Sequence, residues 1–247
     1  MNRSSNTVGR FRDLQQHRLF LLLLLATSLN AFLVLARLYW VHQKTHPADP
    51  YSWPEIQGIF GLAFGFLGWN LLLAWIPYLA ALRIDRQERA GAPWSARWFW
   101  IVLWLAFLPN APYIITDFIH LQYRPPVPIW YDMVMLFAFA STGLMLGLLS
   151  MFEVRNTLRQ HVTIWQTEGF MLLAIGMSGF GVWLGRFQRW NSWDILANPL
   201  GLVRDLAHTM ARRHELIDAL GVSGLVGGML LVGYAMLTIM LSGGKEA

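Results

Sequence analysis

Apolar runs close to the length of a bilayer crossing recur along the chain, separated by short polar stretches. A helix rises about 1.5 Å per residue, so about 20 apolar residues cross roughly 30 Å of hydrocarbon. The runs extend from Leu19 to about Trp40, Ile56 to Leu82, Trp98 to Leu121, Ile129 to Phe152, Thr167 to Gly185 and Leu220 to Leu241. This pattern predicts an all-α integral membrane protein, a compact bundle of about six transmembrane helices. The expected layout is a basic cytoplasmic tail over 1–18, a single transmembrane helical domain over 19–242 and a short cytoplasmic tail over 243–247. Arg3, Arg10, Arg12 and Arg18 precede the first run as in the n-region of a signal peptide. Its apolar stretch is too long for one and no small-x-small cleavage site follows, so it reads as a retained signal anchor.

Lys and Arg in the short loops set the orientation. The N-terminal tail holds four Arg, the 83–97 loop four more, and the loop after the fourth run Arg155 and Arg159, whereas the intervening loops hold only Lys44 and Arg124. Ten against two places both termini in the cytoplasm. The segment 186–216 then falls outside, yet carries Arg186, Arg189, Arg204, Arg212 and Arg213. Its apolar residues (Ile195, Leu196, Leu200, Leu202, Val203, Leu206, Met210) alternate with charges, which predicts an amphipathic surface helix near 192–215. Asn191, three residues before Asp194, is the expected N-terminal cap. The basic face is either simply solvated or a lure for anionic lipid.

One stretch interrupts the apolar pattern. "LPNAPYIITDFIHL", positions 108–121, places two prolines and an asparagine about half-way through the third span. Pro109 and Pro112 lack N–H groups, so the carbonyls of Leu105 and Leu108 lose their usual donors. An unsatisfied carbonyl in hydrocarbon costs several kcal/mol, so other donors are required. Asn110 lies between the prolines, and Asn70 in "FLGWNLLLAW" sits at similar depth in the second span. Asn70, Asn110 and Tyr113 are therefore expected to form a mid-membrane polar junction: a patched kink, or a broken helix lining a polar cavity.

Beyond the break, Tyr113, Asp117 and His120 fall on one helical face. Tyr131 and Asp132 begin the fourth span at the same outer level, and "LGRFQRWNSWD" brings Arg186, Arg189, Trp190, Asn191, Trp193 and Asp194 there. Charges at a membrane rim are expensive and mark function unless they pair. Asp117 and Asp132 could neutralise Arg186 and Arg189 and tie helices together. Alternatively Asp117, His120, Tyr131, Asp132, Arg186, Arg189, Trp190, Asn191 and Asp194 form an outward-facing site for an anionic ligand. In it the arginine forks would grip phosphate, and His120 oriented by Asp117 would be the candidate general base.

"LPNAPYIITDFIHL", "WYD" and "LGRFQRWNSWD" resemble the hallmark stretches of a bacterial multi-pass membrane family, domain of unknown function thirteen sixty-one. The resemblance covers about Gly58 to Leu241. It implies a bacterial inner-membrane protein and no particular activity.

Composition agrees with the membrane reading. Hydrophobic residues make up 55% and charged residues 13% of 247, where soluble domains carry about 25% charge. The net charge of +5 comes mainly from loop arginines, which explains it without nucleic acid. Cysteine is absent, which excludes disulfides, thiolate nucleophiles and Cys-ligated metals. There is no phosphate-binding Gly-rich loop, no HExxH and no dinucleotide fingerprint. His42 and His46 are too few for a metal site, and no cofactor is expected. "GMSG" (176–179) and "GVSG" (221–224) resemble the serine motif of rhomboid-type proteases, but small packing residues account for both. Glycine pairs four apart (Gly61/Gly65, Gly143/Gly147, Gly181/Gly185, Gly224/Gly228) predict close helix contacts. Three readings stay open: a lipid or protein-binding component with membrane lipids as partners, an enzyme acting on lipid head groups, and a transporter using the mid-membrane break.

Overall fold

The computed structural model of the chain describes residues 3–45 and 64–242. The expected start of the second span at Ile56, His46, Gly61 and the tail 243–247 lie outside the described residues. The helices are α1 (Arg3–Thr45), α2 (Gly65–Arg89), α3 (Trp94–Phe107), α4 (Asn110–Tyr113), a 3-10 helix (Ile114–His120), α5 (Ile129–Leu158), α6 (Ile164–Phe187), α7 (Asp194–Ala197), α8 (Pro199–Ala211) and α9 (Arg213–Ser242). No strand occurs among the described residues. Six segments are long and apolar enough to cross a bilayer: Asp13–Lys44, Gly65–Arg89, Trp94–His120, Ile129–Leu158, Ile164–Phe187 and Arg213–Leu241. This is an all-α, multi-pass membrane protein. The basic tail is continuous with the first span, because α1 begins at Arg3.

The chain divides into two compact units, Met1–Gly68 with His120–Thr142, and Trp69–Ile119 with Gly143–Ala247. In the first unit, α1 turns Leu21, Leu22, Leu25, Leu29, Phe32 and Leu35 outward, as lipid requires. Among the described residues of α1, the fully buried polar side chains Asn30 and Arg37 face the first half of α5. Asn30 donates to Thr142 Oγ1 (2.9 Å), and Arg37 meets Asp132 through Nε–Oδ1 (2.6 Å) and Nη2–Oδ2 (3.0 Å). Tyr131 donates to the Leu33 carbonyl at 2.7 Å, which can accept a second bond besides its helical one. Asn30–Thr142 and Arg37–Asp132 run in opposite order along the two helices, so α1 and α5 are antiparallel here.

In the second unit, α2 ends in a turn that Gly91 makes possible at φ 67°. Gly91 N–H reaches the Glu88 carbonyl (2.9 Å) and Ala92 N–H the Gln87 carbonyl (3.0 Å), the paired bonds of a Schellman stop. A capping box of Thr163 and Gln166 starts α6. Between these turns Glu88 binds Arg97 and accepts from His161 Nε2 at 2.7 Å. The core is apolar, with Ile84, Trp104, Leu108, Met151, Met171, Ile175 and Leu230 buried together. Trp104 Nε1 donates to Ser150 Oγ at 3.0 Å, so even this ring leaves no donor unpaired. Glu168 of α6 joins Arg155 of α5 (2.7 Å) to Tyr234 of α9 (2.6 Å).

The glycines act unevenly. A Cβ on Gly143 would meet the Ala111 carbonyl and one on Gly147 the Ala111 methyl, each at 2.8 Å. A Cβ on Gly181 would meet Pro109 at 2.6 Å, and one on Gly185 the Tyr113 ring at 3.1 Å. Two of the expected pairs therefore seat the broken third span between α5 and α6. Gly224 and Gly228 have open space instead, and the α9 residues that meet Gly179 are Ser223 and Gly227. The α6–α9 contact is thus one residue out of the expected register.

The surface helix is in two pieces, α7 and α8, parted at Asn198. Its cap is also different from the expected one. Asn198 accepts from Gly201 N–H (3.1 Å) ahead of α8, with Pro199 in the first turn. Asp194 instead accepts from Asn191, whose backbone N–H (2.7 Å) and side-chain amide (3.0 Å) both reach Oδ2. The acid holds the turn from its far side, so Asn191 caps nothing.

Candidate functional site

The proline break organises the most polar part of the second unit. Ala111 N–H, freed from helical pairing, turns to the Leu108 carbonyl at 3.2 Å. Leu108 is therefore satisfied, and the orphan created by that shift is the Phe107 carbonyl. Asn110 Nδ2 supplies its donor at 3.0 Å and donates also to Ser192 Oγ at 3.0 Å. Asn110 does patch the kink, at a different carbonyl from those the prolines alone would indicate.

Past the break the chain tightens into the 3-10 helix, and three of its neighbours grip one arginine. Arg186 donates through Nε to Thr116 Oγ1 (2.7 Å), pairs with Asp117 through Nη2, and stacks its guanidinium 4.4 Å from the Tyr113 ring centre. The other oxygen of Asp117 accepts from Asn70 Nδ2 at 2.9 Å. Asp117 is fully buried, so its charge is held by an arginine and an amide from two different helices. A buried carboxylate without such partners would be protonated or displaced.

Asn70 and Tyr113 of this network also line a cavity of about 130 Å³. Asn70, Pro109, Asn110, Tyr113, Trp190, Asn191 and Ser192 line it, with apolar surface from Trp69, Leu184 and Leu202. Asn70, Asn110 and Tyr113 thus share one wall. Trp190 Nε1 donates to Asp205 Oδ2 at 3.1 Å, which fastens α8 beside the cavity.

The charged residues of the expected rim have separate engagements. Asp132 is paired with Arg37 and Tyr131 with the Leu33 carbonyl, both in the first unit. His120, also there, packs its ring edge-on to Phe66 at 5.0 Å between centres. Arg186 holds Asp117, whereas Arg189 forms no ion pair with either aspartate. Arg189 instead occupies the left-handed region, φ 60°, where the chain leaves α6. Its turn lets Trp190 N–H reach back to the Leu184 carbonyl at 3.2 Å. No cluster of three or more metal-binding side chains occurs among the described residues.

Residues 69–232 match the model of a family described as Protein of unknown function (DUF1361). The chain belongs to this family. Every residue lining the cavity falls within the matched DUF1361 stretch, as do Asp117, Arg186 and Arg189. Arg37 lies outside it, although its partner Asp132 lies inside. No curated protein and no solved structure matches the chain.

Sequence reasoning passed over Arg37, Thr116, Ser192 and Asp205. Arg37 carried a usable signal, being the single charge between Arg18 and Lys44 in an apolar run. Thr116, Ser192 and Asp205 carried none, because a lone hydroxyl or a surface acid acquires meaning only from what folds against it.

Proposed function

We propose that this protein resides in a bacterial inner membrane with both termini in the cytoplasm, and binds an anionic lipid or lipid-linked group at its outer face. The carrying observation is the contrast between two arginines of one motif. Arg186 is engaged by Asp117, Thr116 and Tyr113. Arg189 is exposed and makes no hydrogen bond or ion pair among the described residues. A guanidinium without a counter-ion retains its fork for phosphate oxygens. Arginine is also costly in left-handed backbone, about 1–2 kcal/mol above an ordinary conformation. The exposed Trp193 suits the head-group region, where indoles collect. The ten-to-two loop bias supports assigning this end of α6 to the outside. The reading assigns binding and no reaction.

The test is binding of anionic and zwitterionic phospholipids to the purified protein by native mass spectrometry. Wild type should retain anionic lipid selectively, and Arg189→Gln should weaken it about tenfold or more, as loss of a charged hydrogen-bonded pair implies. Arg189→Lys should fall between them, because the charge survives and the fork does not. Equal retention of both lipid classes by wild type would overturn the reading.

A further inference from the structure

We infer that the cavity following Arg189 receives the hydroxylated head group of a lipid whose polyol is joined through a phosphodiester, the phosphate itself meeting Arg189. This rests on the anionic-lipid reading above and adds the identity of the head group.

The chemistry of the wall is the argument. Among the described residues, no carboxylate, ammonium, guanidinium or imidazole lines the cavity. Its amides are oriented by what they already bind. Asn70 gives its Nδ2 to Asp117, and Asn110 gives its Nδ2 to the Phe107 carbonyl and Ser192. Each amide's carbonyl oxygen, and the Tyr113 hydroxyl, makes no hydrogen bond among the described residues. Ser192 accepts from Asn110, so its own proton remains to be given. With Asn191, whose Nδ2 goes to Asp194, the wall therefore offers three uncommitted amide acceptors and two hydroxyls.

That set fits alcohol groups, each of which both donates and accepts. A phosphate inside would press anionic oxygens against amide oxygens. An ammonium would lose its water without a carboxylate to compensate. Trp69 and Trp190 add apolar ring surface suited to the C–H face of a polyol. The volume of about 130 Å³ is a little below the roughly 150 Å³ that takes up one benzene ring. That admits a glycerol-sized group. Trp69 is 55% exposed and Asn191 is exposed as well, so the wall reaches the protein surface. Arg189 directly precedes Trp190, Asn191 and Ser192, which puts the cationic residue next in the chain to this wall.

The experiment compares phosphatidylglycerol with phosphatidylpropanol, which has the same phosphodiester charge and no head-group hydroxyls, in nanodisc competition with the full-length protein. Phosphatidylglycerol should win by about tenfold, as two ordinary hydrogen bonds imply. The double variant Tyr113→Phe/Ser192→Ala should erase that preference while still favouring both anionic lipids over phosphatidylcholine. Arg189→Gln should do the reverse, losing the anionic preference. Equal binding of the two phosphodiesters by wild type, with charge selectivity intact, would overturn the head-group assignment and leave the anionic reading standing. Loss of charge selectivity would overturn both. Equal or better binding of phosphatidylethanolamine would overturn the polyol assignment, and displacement by soluble glycerol phosphate would overturn the lipid one.

Discussion

Arg37 and Asp132, 95 positions apart, face each other in a two-point pair with side chains 1% and 0% exposed. The Arg37 guanidinium also lies 5.0 Å above the Phe64 ring. The pair joins α1 to α5 where neither charge has water to fall back on. Removing one partner leaves the other charge buried alone, a penalty of about 3–5 kcal/mol. Arg37→Leu and Asp132→Leu should each lower the thermal stability of the detergent-solubilised protein sharply. The double variant Arg37→Met/Asp132→Leu should recover most of the loss. If either single variant melts with wild type, the pair is not holding the helices.

A second prediction separates glycines that contact the break from those that do not. Gly181→Ala drives a methyl into Pro109, and relief of such overpacking costs about 1–3 kcal/mol. Gly176→Ala meets nothing within 4 Å and should be neutral or stabilising, since alanine is the better helix former by about 1 kcal/mol. Both melting temperatures can be read by fluorescence-detected size exclusion.

Arg189 offers a case where stability and binding should move apart. Arg189→Gly relieves the left-handed backbone and should raise stability slightly, by about 1 kcal/mol or less once the entropy of glycine is counted. The same change removes the fork and should abolish selective retention of anionic lipid. A variant that melts earlier would show that the side chain has a structural partner instead.

The orientation can be tested with reporter fusions. Fusions at Arg89 and Arg155 should report cytoplasm, and fusions at Asp49 and Arg204 the outside, following the Lys/Arg bias. A cytoplasmic signal at Arg204 would remove the outer-face assignment of the proposed site.

The sequence by itself determined the spans. Lipid accepts only long apolar segments with internally closed hydrogen bonds, so hydropathy alone locates helices, and Pro109 and Pro112 announce the break. The two glycine pairs seated on that break were legible for the same reason, since four-residue spacing defines one face. What only the tertiary structure decided was which polar group meets which. Charge alone would let Asp132 take any arginine at its level, yet it holds Arg37 because α1 packs antiparallel to α5. The Phe107 carbonyl became the orphan because Ala111 shifted its bond by one residue. Asn198 displaced Asn191 as the cap because Asp194 took the Asn191 amides for itself. Spans follow from a solvent that treats every residue of one type alike. Pairings depend on distances of a few ångströms between segments far apart in the chain, and those exist only after the helices have packed.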